Sequence, residues 1–305
     1  MTELQRYLAE EVAEDHADGL ISRREALRRL GLLGLGGAAA ASLLAGFLAQ
    51  AAKAQMRAPA RAAAASAPAA ADVLIAARPT REIVFKGPGG RKLMGAWAAA
   101  AKPRGGVLVI HENRGLNDSI RAIAGRLAGS GYSALAIDLL SAEGGTGAFE
   151  DEFEAMSALG AAPESRLIAD LKAGVTEVRR RLPGKKVAAI GFCFGGGMTW
   201  RLLAARESRL AAAVPFYGPF PAGGNLAGTG AAVLAIYAEL DSRVNASRAA
   251  ARAALRRAKL RHLIVTYPGV DHAFVNPTSS RHDPAAAAAA YRRMLAWFGT
   301  HVASA

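Results

Sequence analysis

Ile190-Gly191-Phe192-Cys193-Phe194-Gly195-Gly196 decides how this chain is read. An apolar strand runs into a glycine-rich turn, and a helix follows. Gly191 and Gly195, two residues before and two after Cys193, remove side chains that would collide in a sharp strand-to-helix turn whose central residue is held at strained φ/ψ. Such a turn lifts its central side chain above a sheet edge, and in the G-x-S-x-G arrangement that side chain is a nucleophile. Here it is a thiol. Cys193 is the only cysteine in 305 residues, which excludes an intramolecular disulfide framework or a cysteine-rich zinc site. A free cysteine can also be an inert, buried small hydrophobe; the flanking glycines favour the nucleophile.

Around this turn, strand and helix patterns alternate from about residue 80, which predicts a mostly parallel sheet with helices on both faces. Arg81 to Lys86 and Lys92 to Ala99 flank Gly87-Pro88-Gly89-Gly90 and read as an antiparallel hairpin. Strands are expected at Gly106 to His111, Tyr132 to Ile137, Lys186 to Gly191, Ala211 to Phe216, Ala232 to Tyr237 and His262 to Tyr267. Helices are expected at Ser119 to Ala128, Glu164 to Arg181, Ala246 to Lys259 and Pro284 to Phe298. Leu139 to Gly160, with Gly144, Gly145 and Gly147, reads as a mobile lid.

A thiol nucleophile needs a base, and the base needs an orienting acid. In α/β hydrolases the chain order is nucleophile, acid, histidine, each beyond the C-terminal end of a strand. His272 fits the last place, in Tyr267-Pro268-Gly269-Val270-Asp271-His272-Ala273-Phe274, and Asp241 fits the acid, directly after a strand. Glu239 and Asp271 are the local rivals for the acid. At the end of an earlier strand, His111-Glu112-Asn113-Arg114-Gly115 occupies the loop that donates one backbone N–H of an oxyanion hole. The expected donors are Asn113 and Phe194. Glu112 is a carboxylate placed beside a thiol, which is costly to bury unless something compensates.

Taken together, these motifs resemble the dienelactone hydrolase (carboxymethylenebutenolidase) family of α/β hydrolases over roughly residues 80–300. They are His-Glu-x-x-Gly at His111 to Gly115, Gly-Phe-Cys-Phe-Gly-Gly at Gly191 to Gly196, Asp241, and Tyr-Pro-Gly-x-x-His-x-Phe at Tyr267 to Phe274. The resemblance implies hydrolysis of a lactone or activated ester through an acyl-thiolate intermediate at Cys193, with no metal or organic cofactor. It also implies that Glu112 contacts the resting thiol and helps remove its proton when substrate enters. The chain departs from the family at the substrate: an arginine is expected four residues after the histidine, where Asn276 stands, and no Arg or Lys lies between Arg126 and Arg166. A planar carboxylate thereby loses its most specific partner. Asn276, Tyr217 and Phe274 are the expected pocket residues. Other function classes are a thiol redox sensor, which would lack a resolving cysteine here, and a non-catalytic binding protein on the same fold.

Net charge is +13, yet residues 1–54 carry six Lys/Arg against seven Asp/Glu, so the surplus lies beyond them. Its arginines are scattered as pairs on alanine-rich helices, which suits a solvated surface rather than a nucleic-acid stripe. The expected partner is a small ester or lactone, no nucleic acid is expected, and the expected state is a monomer or dimer. Ser22-Arg23-Arg24-Glu25-Ala26-Leu27-Arg28 resembles a twin-arginine export signal, followed by the uncharged run Leu30 to Ala52 and a small-x-small cleavage site at Ala52-Lys53-Ala54. Ala26 departs from the large apolar residue preferred there, and residues 1–20 are acidic for a signal. Residues 1–54 are thus expected to be an export signal leading to the periplasm or beyond, with a retained membrane anchor or a cytoplasmic extension as alternatives. Residues 55–79, rich in Ala and Pro, read as a flexible linker, and residues 80–305 as the catalytic domain.

Overall fold

The computed structural model describes residues 1–57 and 77–303; most of the expected 55–79 linker lies outside the described residues. Eight strands form one sheet: β1 (Arg81–Lys86), β2 (Lys92–Ala98), β3 (Gly105–Ile110), β4 (Tyr132–Asp138), β5 (Val187–Phe192), β6 (Leu210–Phe216), β7 (Ala232–Ala238) and β8 (His262–Tyr267). Their order is β1-β2-β4-β3-β5-β6-β7-β8. The opening hairpin pairs antiparallel, β2 pairs antiparallel with β4, and every later pairing is parallel. Strands covered on both faces read as continuous apolar runs: every residue of β3, β4, β5 and β7 is buried, whereas edge strand β1 is mostly exposed.

From β3 the chain moves outward to β4 and then returns to β5 on the other side. This reversal opens a crevice above the C-terminal ends of β3 and β5, the usual ligand position in such sheets. Ile110 and Gly191 are parallel partners there, so the loop after β3 and the turn after β5 are neighbours.

Helices α4 (Asp118–Gly129), α6 (Glu164–Arg181), α7 (Phe194–Ala204), α8 (Ser242–Asn245), α9 (Arg248–Arg257) and α10 (Pro284–His301) belong to the same unit. Helix α6 buries Leu167, Leu171, Val175 and Val178, one helical stripe, and ends in Arg179 to Arg181, which complement the negative end of the helix dipole. Asn117 caps α4 through the Ile120 N–H at 3.2 Å, and Asp283 caps α10 through that of Ala286 at 2.8 Å. The helix expected over Ala246 to Lys259 forms as α9, and the short α8 precedes it, the two separated by Ala246 and Ser247. Ser247 Oγ donates to Val244 O at 2.8 Å and accepts from Phe220 N–H at 2.9 Å, local bonds that compete with helix continuation.

The second unit holds α1 (Glu3–Ala17), α2 (Arg23–Leu32), α3 (Gly37–Arg57) and α5 (Glu152–Ala161). Thr2 and Gln5 form a reciprocal capping box on α1. The uncharged run from Leu30 is interrupted at Gly34, whose φ of 87° suits glycine, and α3 begins at Gly37. Among the described residues no helix is long and apolar enough to cross a membrane. Helix α5 falls inside the stretch expected to be a lid and packs on α1 and α2. Leu8 and Leu33 approach Gly160, Ser157 Oγ donates to Leu32 O at 2.7 Å, and Met156 and Leu159 are buried. Arg28 pairs with Asp151 at 2.8 Å, and the Arg29 guanidinium stands 3.1 Å over the Phe153 ring.

Candidate active site

Cys193 joins β5 to α7 at φ 55° and ψ −119°, a backbone conformation that side-chain-bearing residues rarely adopt. The two glycines make this possible. A Cβ on Gly191 would stand 2.0 Å from Gly195 O, and one on Gly195 would stand 2.4 Å from Ile110 O, so the turn seats directly on the end of β3. The Cys193 N–H donates to Phe216 O at 3.1 Å, tying the turn to β6 as well. Phe194 is the first residue of α7, where backbone N–H groups have no acceptor within the helix.

Asp241 and His272 come together as expected from loops after β7 and β8, although 31 residues separate them. Asp241 Oδ2 accepts from His272 Nδ1 at 2.6 Å while Oδ1 caps α8 through the Val244 N–H at 2.9 Å. Both side chains are about 1% exposed, so the pair sits in low dielectric. The rival acids are engaged elsewhere. Asp271 Oδ1 accepts the His272 backbone N–H at 2.7 Å, and Glu239 Oε2 accepts that of Gly269 at 2.7 Å.

A ring nitrogen of His272 lies within 4.8 Å of Cys193 Sγ. Nδ1 is occupied by Asp241, and Nε2 has no hydrogen-bond partner in the described structure. Burial works to lower the imidazole pKa, but Asp241 and then Cys193 outweigh it and raise it well above the ordinary range. Burial likewise pushes the Asp241 carboxyl up, but the charge of His272 foremost, with its hydrogen bond, holds it below its ordinary value.

Glu112 and Asn113 follow β3 and are both buried. Glu112 Oε2 accepts from Asn276 Nδ2 at 2.6 Å. This places Asn276 on the glutamate, a contact that sequence spacing across 164 residues did not reveal. Tyr217 packs edge-on to His272 with ring centroids 5.1 Å apart, at a φ of 34°. Burial, followed by the charges of Glu112 and Cys193, raises its hydroxyl well above 10, so it remains a donor. Glu112, Tyr217 and Asn276 line a narrow crevice with no room for a water molecule. Phe274 does not line it; fully buried, it packs against Tyr217 and Tyr267 beneath the histidine loop.

His111 opens the His-Glu-x-x-Gly motif, and its hydrogen bonds give it a positioning role. Leu139 N–H donates to Nε2 at 3.1 Å, which leaves the proton on Nδ1, and Nδ1 donates to Glu112 O at 2.6 Å. The ring also stacks on Phe194 at 6.3 Å and 11°. Burial depresses its pKa, favouring this neutral form. One imidazole thus positions the loop carrying Glu112 and Asn113 against both β4 and the turn after β5. The part of the expected lid nearest the site is tied down too: Asp138 Oδ2 accepts from Thr146 N–H at 2.7 Å, and Thr146 Oγ1 accepts from Leu116 N–H at 2.8 Å.

A model described as the dienelactone hydrolase family matches residues 94–302. A protein of Escherichia coli O157:H7, provisionally named a carboxymethylenebutenolidase, is 35% identical over 206 residues, covering 63% of this chain and 75% of that relative. A protein of Saccharolobus solfataricus with the same provisional name is 28% identical over 250 residues, covering 69% and 95%. Among solved structures, a provisionally named dienelactone hydrolase from Klebsiella pneumoniae subsp. pneumoniae MGH 78578 superposes with a TM-score of 0.62 at 28% identity, covering 73% of this chain and 100% of the other. A dienelactone hydrolase-like promiscuous phosphotriesterase from metagenomic libraries gives 0.60 at 26%, covering 74% and 99%.

Proposed function

Since the chain belongs to the dienelactone hydrolase family, whose members are hydrolases of carboxylic esters and lactones, we propose that it cleaves its substrate with Cys193 as nucleophile, His272 as base and Asp241 as the orienting acid. The observation that carries this reading is the 2.6 Å Asp241–His272 bond, which leaves Nε2 facing a thiol on a strained turn. The Cys193 S–H proton passes to His272 Nε2, and the thiolate attacks the substrate carbonyl carbon. As the C–S bond forms, the carbonyl electron pair moves to oxygen, where the backbone N–H groups of Asn113 and Phe194 stabilise it. Collapse breaks the C–O bond, the leaving oxygen takes the proton from His272, and a thioester remains. His272 then removes a proton from water, the resulting hydroxide attacks the thioester, and the acid departs with return of the thiol. Glu112 assists the first proton transfer, a role supported by its place beside Tyr217, whose hydroxyl also senses Cys193.

A chromogenic short-chain ester or lactone tests this reading. Hydrolysis should show a burst, an alkylating thiol reagent should abolish it, and mass spectrometry should find the acyl group on Cys193. Cys193→Ala should stay folded and lose nearly all activity. An acyl group on another residue, or full activity in that variant, would refute the assignment; reversible oxidation of Cys193 without turnover would favour the redox sensor.

Residues 1–54 are read as an export signal on the strength of Arg23-Arg24, the uncharged run and Ala52-Lys53-Ala54. The mature protein should begin near Gln55, and replacing both arginines by lysine should retain the full chain in the cytoplasm. An intact N-terminus on exported or cytoplasmic wild-type protein would overturn it.

A further inference from the structure

Asn276-Pro277-Thr278, just beyond His272, folds into a turn closed by a side chain. Asn276 Oδ1 accepts from Thr278 N–H at 2.9 Å and from Thr278 Oγ1 at 2.8 Å. An Asn or Asp oxygen that takes the backbone N–H two residues on is a common way to close a turn, and Pro277 between them fixes φ and brings no N–H of its own. These bonds also decide which way the amide lies, because its oxygen and nitrogen are told apart by their partners. A backbone N–H can only donate. The atom facing Thr278 is therefore the oxygen, and the atom 2.6 Å from Glu112 Oε2 is the nitrogen. The Asn276 backbone N–H donates to Ala273 O at 2.9 Å, and Ala273, next to His272, is held at a φ of 60°. The loop that carries the base thus also carries the donor to the buried carboxylate.

The turn by itself does not call for asparagine. Aspartate would accept from Thr278 equally well, but its second oxygen would then lie against Glu112, and two carboxylates so close cannot both ionise. What asparagine adds is the N–H left over once the turn is closed. A carboxylate as buried as that of Glu112 keeps its charge only with donors to support it. We infer that Asn276 is a positioning residue for the reaction: its side-chain amide, turned by Thr278, holds the Glu112 carboxylate as an anion in one orientation while the Cys193 proton moves to His272. The inference rests on the reading of Glu112 as the group that assists this transfer. It makes the histidine loop the support of two groups at once, the base through His272 and the assisting anion through Asn276.

Asn276→Ser separates closing the turn from holding Glu112. A serine hydroxyl can still accept from Thr278, is too short to reach the carboxylate and adds no charge. On a chromogenic short-chain ester, kcat of this variant should fall about 10- to 100-fold, the scale of one hydrogen bond to a charged group, while KM stays within about threefold. In a Glu112→Gln background the same substitution should lower kcat by less than about threefold, because the group it positions is already gone. Should Asn276→Ser not fold by circular dichroism, Asn276→Asp keeps the turn and gives the same readout, with the onset of Cys193 alkylation moved to higher pH by the shared proton of the two carboxyls. A kcat within about threefold of wild type, or an equal loss with and without Glu112, would overturn the inference and leave Glu112 in its role. An unchanged kcat in Glu112→Gln alone would remove that role, and this inference with it.

Discussion

Replacing Asp241 by Asn isolates the electrostatic part of the proposed catalytic arrangement, because the amide keeps the shape of the carboxylate and its oxygen can still cap α8 at Val244. At 2.6 Å and an effective dielectric of about 20, the attraction between Asp241 and a protonated His272 is about 6 kcal/mol. Part of this is offset, since a neutral amide no longer has to be buried as an anion. A net loss of about 3–5 kcal/mol in the imidazolium-bearing transition states corresponds to a fall in kcat of about 10²–10⁴. The same change removes the largest influence raising the His272 pKa. A thiolate stabilised by that imidazolium then forms only at higher pH, so the onset of Cys193 alkylation should move upward. The assay is single-turnover acylation together with iodoacetamide alkylation from pH 5 to 9, with circular dichroism to confirm the fold. A folded variant whose kcat lies within threefold of wild type and whose alkylation profile is unmoved would refute the assignment of Asp241.

Glu112→Gln should lower kcat by about 10²–10⁴, the range for general acid–base assistance, and slow Cys193 alkylation in the presence of a substrate analogue; an unchanged kcat reduces Glu112 to a loop residue. His111→Phe keeps the stacking on Phe194 but orphans Leu139 N–H and Glu112 O, each worth about 1–3 kcal/mol. Its melting temperature should fall, and kcat should drop about 10- to 100-fold at nearly constant KM, the signature of a displaced oxyanion donor; a change in KM alone would contradict the positioning role. Glu25 is held at about 2, chiefly by its hydrogen bond from Arg28 and then from Arg29. A carboxyl with a depressed folded value contributes stability that is complete above its unfolded value near 4.5 and lost as pH falls toward 2. Amide exchange in residues 152–161, corrected for intrinsic rates, should therefore accelerate between pH 5 and pH 2, and equal protection at both ends would contradict it.

Local chemistry made the sheet and the nucleophile turn readable. Glycine at 191 and 195 is demanded by contacts with backbone atoms, and the span Glu164 to Arg181 carries a clean apolar stripe with cations at its end. Asp241 and His272 were legible because each follows a strand in a fixed chain order. What escaped detection was fixed by partners far away in sequence. The Asn276–Glu112 bond and the two ring bonds of His111 arise only once β3, β4 and the histidine loop are assembled. Helix α5 was hidden by the three glycines before it, and its packing partners lie more than 100 residues earlier.

Helix α5 is encoded between β4 and α6 but finishes its interior with residues from the first turns of the chain. An insertion and a leader that share one hydrophobic seam inherit each other's fate. Trimming the chain near Gln55 would remove α1 and α2, against which α5 packs, leaving a short stretch anchored at both ends and stripped of those partners. Maturation of such a protein would be a trade of partners as well as a cleavage. The bared stretch would refold elsewhere, recruit a neighbour or become the first place a protease cuts, and the order in which these occur would set how long the trimmed form survives.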